Sequence, residues 1–317
     1  MVDARQFGAW VSEEAQSLFH ESANAPIPPT EIADLRKFYD IYNQGLLGKA
    51  LDRYAVTIVE REIAGVRVHD VTPAGGAKTG STLLCLHGGG FMWGDGAGAL
   101  LEAVPVAAVA GMRVIAVDYR MAPEHVFPAA VDDVLAVYAA LLSEQNAASI
   151  GIFGCSAGAM LTSEAIARIA SEELPMAGAA ALLHGAGLEF GGDSGLVAQI
   201  LDPKLAAQGG ALPNMEDFPY FTGADAADPL VLPGHHPDCL ALFPPTMLVT
   251  AMRDFAASAV SVMHRRLLAA GVGAQLVMFD GLWHAHHMDV SLPESRETYD
   301  ILAQFFLQHL SEVPAQS

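Results

Sequence analysis

Residues 149–159, SIGIFGCSAGA, set an apolar run of strand length directly against a Gly-x-Ser-x-Gly turn, and helical spacing follows through Ala170. A short buried strand, a sharp turn and a helix are the context in which a serine hydroxyl is raised above the edge of a sheet. Gly154 and Gly158 suit such a turn because neither carries a Cβ to obstruct close backbone approach. Three small residues around a serine also arise by chance, and a plain turn at a helix start would explain them as well. The decision rests on what surrounds them.

Working outward, short apolar runs recur at 82–86, 113–117 and 179–183, each separated from the next by a helix-length segment. That alternation is the signature of parallel strands, buried on both faces and joined by crossover helices. The stretch 103–117 is too short and too interrupted, by Gly111 and Arg113, for a membrane span, and reads as a buried helix running into a buried strand. Upstream, residues 54–73 write two strands joined around Ala64 and Gly65, a hairpin. Residues 11–47 have helical spacing anchored by Phe19, Ile32, Leu35, Phe38 and Tyr39 and broken at Pro26 to Pro29, which predicts two helices outside the sheet. Downstream, a Gly, Asp and Pro-rich excursion from 185 to about 222 interrupts the alternation. It resumes with a strand at 246–250, a helix at 256–270, a strand at 274–279 and a helix at 293–310, before a frayed tail.

The apolar run ending at Leu86 is followed at once by His87-Gly88-Gly89-Gly90. Three consecutive glycines leave backbone N–H groups open to a ligand. Gly88 and Gly89 are the candidate oxyanion donors, with the Ala157 N–H as a third. Asp254 follows the strand at 246–250, and His284 follows the strand at 274–279 through a short turn. The order Ser156, Asp254, His284 is the nucleophile, acid, base order of this strand–turn–helix architecture. Asp228, Asp280 and Asp289 are rival acids, the last two too near His284 to follow the preceding strand. His286 and His287 do not have the spacing of a metal-binding histidine pair and read as support or surface. His235 and His236 read as loop residues, and Cys155 as a small thiol filling space.

Of 317 residues, 16 are Lys or Arg and 36 are Asp or Glu, a formal net charge of −20 that opposes attraction to phosphate backbones and anionic bilayers. Nucleic acid is excluded as a partner, as is stable membrane insertion. With 52% hydrophobic and 16% charged residues, the chain is composed as an ordered globule. Three cysteines, Cys85, Cys155 and Cys239, form neither a disulfide framework nor a clustered metal motif, and free thiols fit a reducing compartment. The N-terminus has early acids and no apolar run behind a basic head, so the expectation is cytoplasmic.

Five ordered stretches carry a resemblance: HGGGFMWG at 87–94, DYRMAPEHVFPAA at 118–130, GCSAGA at 154–159, PPTMLVTAMRD at 244–254 and DGLWH at 280–284. Together the chain resembles the bacterial hormone-sensitive-lipase-like esterases, the family IV lipolytic enzymes. The resemblance implies an α/β-hydrolase fold, a central, mostly parallel eight-stranded sheet flanked by helices, with a helical cap. It divides the chain into a cap region at 1–50 and a catalytic domain at 51–317, whose excursion at about 185–225 contributes to the cap. It implies hydrolysis of short- to medium-chain acyl esters by Ser156, His284 and Asp254 through an acyl-serine, without metal or organic cofactor, and a homodimer. It also implies that the segment from Asp118 to Glu124 braces the region beneath the oxyanion loop. Phe38, Tyr39, Phe91 and Trp93 are candidate cap or pocket contacts. The alternatives are an amidase or peptidase using the same triad, and a noncatalytic ligand-binding protein. The chain departs from the family at three places. Cys155 and Ala159 stand where the elbow usually carries Asp and Gly. Met252 and Ala257 replace residues around the acid. His184-Gly185-Ala186-Gly187 stands where a Ser-Pro pair is usual.

Overall fold

The computed structural model describes residues 7–22, 24–201 and 215–310. Two helices, α1 (Glu13–Ser22) and α2 (Ile32–Arg53), precede a hairpin of β1 (Val56–Ile63) and β2 (Val66–Pro73). Then follow β3 (Thr82–Leu86), α3 (Ala97–Ala110), β4 (Arg113–Val117), α4 (Ala129–Leu142), β5 (Ile150–Cys155), α5 (Ala157–Ser171), β6 (Ala179–Leu183) and α6 (Asp193–Leu201). The chain closes with α7 (Pro237–Leu240), β7 (Thr246–Ala251), α8 (Ala257–Ala269), β8 (Ala274–Phe279) and α9 (Pro293–His309). The expected strands and crossover helices are all present. The excursion is described at 185–201, where it forms α6, and from 215 onward; its middle, 202–214, and the tail, 311–317, lie outside the described residues.

The eight strands form one sheet in the order β1-β2-β4-β3-β5-β6-β7-β8, antiparallel at β1/β2 and β2/β4 and parallel elsewhere. Strand order reverses between β3 and β5, so the chain leaves these two neighbours in opposite directions and opens a crevice at their C-terminal ends. Register decides what meets there. Leu86 pairs with Gly154, Cys155 with Leu183, and Ala251 with Phe279. The loops beginning at His87, Ser156, His184, Met252 and Asp280 therefore emerge side by side along one edge.

Alternation along the buried strands divides the core between two faces. Leu84, Leu86 and Ile152 point toward the layer of α4, α5 and α8, whereas Leu83, Cys85, Phe153 and Cys155 point toward α3 and α9. Complete burial of a side chain such as Leu84 or Phe153 contributes about 1.5–3 kcal/mol. α3 stops at Gly111, whose φ of 66° provides the left-handed terminus that lets β4 begin two residues later. α2 runs to Arg53, past the expected end near residue 47, because its second half packs Ala50 and Leu47 against the α3 layer. Among the described residues no helix is long and apolar enough to cross a membrane.

Candidate active site

The Ser156 turn is held by both of its neighbouring strands. Its N–H donates to Leu183 O at 2.8 Å, and its φ of 57° lies in the left-handed region that most side chains avoid. The close approach that bends the chain so sharply is visible at Gly158, where a Cβ would lie 1.9 Å from Leu86 O. α5 then begins at Ala157, whose N–H is among the unbonded donors of a helix start and stands next to the serine.

His284 is brought to Ser156 from the β8 loop. Its Nε2 lies 3.0 Å from Ser156 Oγ and its Nδ1 lies 2.8 Å from Asp254 Oδ1. A carboxylate oxygen can only accept, so Nδ1 carries the hydrogen and Nε2 is left as an acceptor for the serine hydroxyl. The ring of Phe255 stacks on His284 at 4.2 Å between centroids, so the imidazole is fixed by packing as well as by hydrogen bonds. Asp254 is completely buried. Burial by itself would raise its carboxyl, but His284 and His184 with their hydrogen bonds outweigh that and hold it well below the usual carboxylate range. The rival acids are engaged elsewhere: Asp280 accepts from Trp10 Nε1, Asp289 from Lys49 Nζ, and Asp228 from the N–H of Leu230.

The glycine loop is oriented through its carbonyls. Tyr119 OH donates to His87 O at 2.7 Å, and His87 Nδ1 donates to Gly88 O at 2.7 Å. In a trans peptide the N–H opposes the C=O. Engaging these two carbonyls therefore turns the N–H groups of Gly88 and Gly89 away from the Tyr119 and His87 rings, which stack at 4.1 Å. Gly88 itself abuts the serine, since a Cβ there would sit 3.4 Å from Ser156 Cβ. Gly89, at φ 111°, admits no side chain because a Cβ would lie 1.9 Å from Trp93 O. Burial lowers the His87 imidazole below its ordinary range, against the pull of its bond to Gly88, which suits a neutral ring donating through Nδ1. The segment at 118–124 does brace this loop: besides Tyr119, Asp118 accepts from Gly96 N, and Glu124 pairs with Arg36 of α2. Arg36 also donates to Met92 O and Ala122 O, tying α2 to the glycine loop.

The four aromatic candidates separate. Tyr39 stacks on Trp93 at 4.5 Å and Phe38 meets Tyr39 edge-on, joining α2 to the loop beside the crevice. Phe91 corrects the pocket half of its expectation, because its ring is 0% exposed and lines no open pocket, stacking instead on Tyr220 of the excursion. His286 and His287 are likewise buried supports, not surface residues; His287 Nε2 lies 2.8 Å from Glu102 Oε1 of α3. Cys155 is buried on that same face, and burial together with Glu102 pushes its thiol up. Sequence reasoning missed His184, whose Nδ1 lies 2.7 Å from Asp254 Oδ2. The available signal was a histidine immediately after β6, at the edge where Asp254 also emerges.

Comparison with known proteins places the fold. A family model described as alpha/beta hydrolase fold matches residues 83–288. The chain is 33% identical over 273 residues, 80% of its length and 81% of the relative's, to a Mycobacterium tuberculosis protein provisionally named acetyl-hydrolase LipR. Among solved structures, esterase E25 superposes with a TM-score of 0.81 at 29% identity, covering 96% of each chain. An esterase from the bacterial hormone-sensitive lipase family superposes with a TM-score of 0.82 at 25% identity, covering 95% of this chain and 99% of that one.

Proposed function

Because the chain belongs to the bacterial hormone-sensitive-lipase-like esterases of the α/β-hydrolase superfamily, and is by that membership a serine carboxylesterase, we propose that it cleaves short- to medium-chain acyl esters through a covalent acyl-Ser156 intermediate. The observation that carries the reading is the unbroken line from Ser156 Oγ to His284 Nε2 at 3.0 Å and from His284 Nδ1 to Asp254 Oδ1 at 2.8 Å.

His284 accepts the Ser156 proton as Oγ attacks the ester carbonyl, and Asp254 stabilises the imidazolium that forms. The tetrahedral oxyanion is met by the N–H groups of Gly88, Gly89 and Ala157, each such donor lowering the barrier by about 3 kcal/mol. Collapse breaks the ester C–O bond, and the alcohol leaves with the proton from His284. Water, deprotonated by the same imidazole, then attacks the acyl carbon and releases the acid and the serine. No step calls on a metal or organic cofactor.

One observation favours the short end of the acyl range. The M. tuberculosis relative carries the name acetyl-hydrolase. Residues 1–50 serve as cap to the catalytic domain at 51–317, with the excursion at about 185–225 completing it; the Arg36 and Trp93–Tyr39 contacts support that assignment. The reading includes cytoplasmic residence, supported by three free thiols, and a homodimer, testable by sedimentation.

Turnover of p-nitrophenyl esters from acetate to a long-chain acyl group, by wild type and Ser156→Ala in parallel, tests the proposal. A short-chain optimum lost in the variant is expected. Equal activity in the variant would remove Ser156 as nucleophile, and turnover of matched amides but not esters would replace the ester reading.

A further inference from the structure

Asp254 is held from both sides. Its Oδ1 accepts from His284 Nδ1 at 2.8 Å and from Ala256 N at 2.9 Å, and its Oδ2 accepts from His184 Nδ1 and from Thr250 Oγ1, each at 2.7 Å. Two imidazoles thus flank one carboxylate, one on each oxygen. Only His284 reaches the serine; His184 is 0% exposed and lies behind the acid.

We infer that His184 is a positioning residue for hydrolysis: a neutral buried imidazole whose Nδ1–H clamps Asp254 Oδ2, so that Oδ1 stays aimed at His284 while the carboxylate charge is shared between two rings. The inference rests on the triad reading above and extends it.

The surroundings of His184 fix its orientation and its tautomer. It follows β6 directly, with its N–H donating to Val249 O at 2.8 Å, and it adopts φ 53°, a conformation a histidine rarely takes unless its neighbours impose it. Its ring lies parallel to that of His287 at 5.2 Å between centroids and meets those of His284 and His286 edge-on. His287 is in turn held by the Glu102 carboxylate. The titratable groups around the clamp are therefore Asp254 beyond β7, His284, His286 and His287 beyond β8, Glu102 of α3 and Cys155 of β5. Among these neighbours, burial, opposed by Asp254, pushes the His184 imidazole down to about 4. His184 Nε2 is buried with no hydrogen-bond partner. A neutral ring with its hydrogen on Nδ1 satisfies Asp254 and leaves only a bare lone pair at Nε2, whereas the other tautomer would turn an acceptor toward the carboxylate.

The consequence is electrostatic. Removing this donor concentrates negative charge on Asp254, strengthens its attraction for the His284 imidazolium and moves the acidic limb of the kcat/KM profile to higher pH. The carboxylate also loses one of the four contacts that fix its rotation, leaving Thr250 as the sole donor to Oδ2.

His184→Phe keeps an aromatic ring but has no donor, and His184→Asn places an amide N–H where Nδ1 stood. Both are compared with wild type on p-nitrophenyl acetate, with rates normalised to titrated Ser156. The phenylalanine variant is expected to lose about 10- to 100-fold in kcat, the effect of one hydrogen bond to a charged group, with KM little changed and the acidic limb raised. The asparagine variant is expected to retain kcat within about threefold and the wild-type limb. In histidine-15N-labelled wild type, His184 should show a protonated Nδ1 and a bare Nε2 from pH 6 to 9. A folded phenylalanine variant with wild-type kcat and limb would overturn the inference. So would a folded asparagine variant slowed with a shifted limb, or a wild-type His184 protonated at Nε2; these last two readouts stand even if the phenylalanine variant does not fold. Turnover surviving in Ser156→Ala would overturn the triad reading and this one together.

Discussion

Asp254→Asn replaces an acceptor of four hydrogen bonds by a group that accepts two and donates two. The carboxylate of Asp254 takes donors from His284, Ala256, His184 and Thr250, all with donor–acceptor distances of 2.7 to 2.9 Å. The amide oxygen can keep one pair, and the NH₂ then faces the other. The Thr250 hydroxyl can rotate to accept, but an imidazole N–H can only become an acceptor by changing tautomer. One or two buried donors are left unmatched, each costing about 1–3 kcal/mol, so the variant should lose about 1–6 kcal/mol of stability. Against a typical total of about 5–15 kcal/mol, that leaves a folded but weakened protein. If His284 is the group that changes tautomer, its Nε2 carries a hydrogen and cannot accept the Ser156 proton, and kcat should fall about 10³- to 10⁴-fold. Urea unfolding followed by tryptophan fluorescence at pH 7.5 gives the first quantity, and turnover per titrated serine the second. The linked pH dependence has a definite sign. The folded-state carboxyl is held well below its ordinary value, so its stabilisation is present above the unfolded value of 3.8 and is lost as pH falls below it. Asp254→Asn should therefore narrow the stability gap to wild type on acidification. A variant within 1 kcal/mol of wild type, with kcat reduced less than tenfold, would refute the four-donor account.

Two further substitutions probe the supports. Tyr119→Phe removes the hydroxyl that holds His87 O, and should lower kcat/KM about tenfold with a stability loss of about 1–3 kcal/mol; an unchanged kcat/KM would separate Tyr119 from the orientation of the glycine loop. Glu164, buried on α5 and accepting from Tyr220 OH, has its carboxyl raised to about 8 by burial, so folding favours its protonated form. Its contribution is full below the unfolded value of 4.5 and is lost as pH rises toward 8. Glu164→Gln should therefore gain Tm relative to wild type between pH 5 and pH 9, and thermal melts with parallel slopes across that range would contradict it.

Much of the site was legible because its residues sit at the ends of strands with a clear pattern. The apolar runs ending at Leu86, Cys155, Ala251 and Phe279 each hand over to a loop bearing one component, and parallel strands deliver all such loops to the same edge. Tyr119 was visible only as part of a bracing segment, since nothing in its neighbours announces that its hydroxyl reaches His87 O. Phe91 was misplaced for a related reason. It follows the glycines in sequence, but its φ of 61° turns the ring back onto Tyr220, 129 residues away along the chain. His286 and His287 lacked the spacing of a metal pair, yet their burial depends on α3 and α9 packing over them.

The sequence by itself determined the order of strands and helices, the tight turn that exposes Ser156, and the places of Asp254 and His284 in the loops after β7 and β8. These are local properties: hydrophobic periodicity, turn chemistry and position relative to a strand end. Tertiary structure alone decided that Asp254 is shared by two imidazoles and that His87 and Tyr119 set the direction of the Gly88 and Gly89 N–H groups. A hydrogen bond between residues 70 positions apart, such as His184 to Asp254, depends on the register of β6 against β7, and register is a property of the packed sheet.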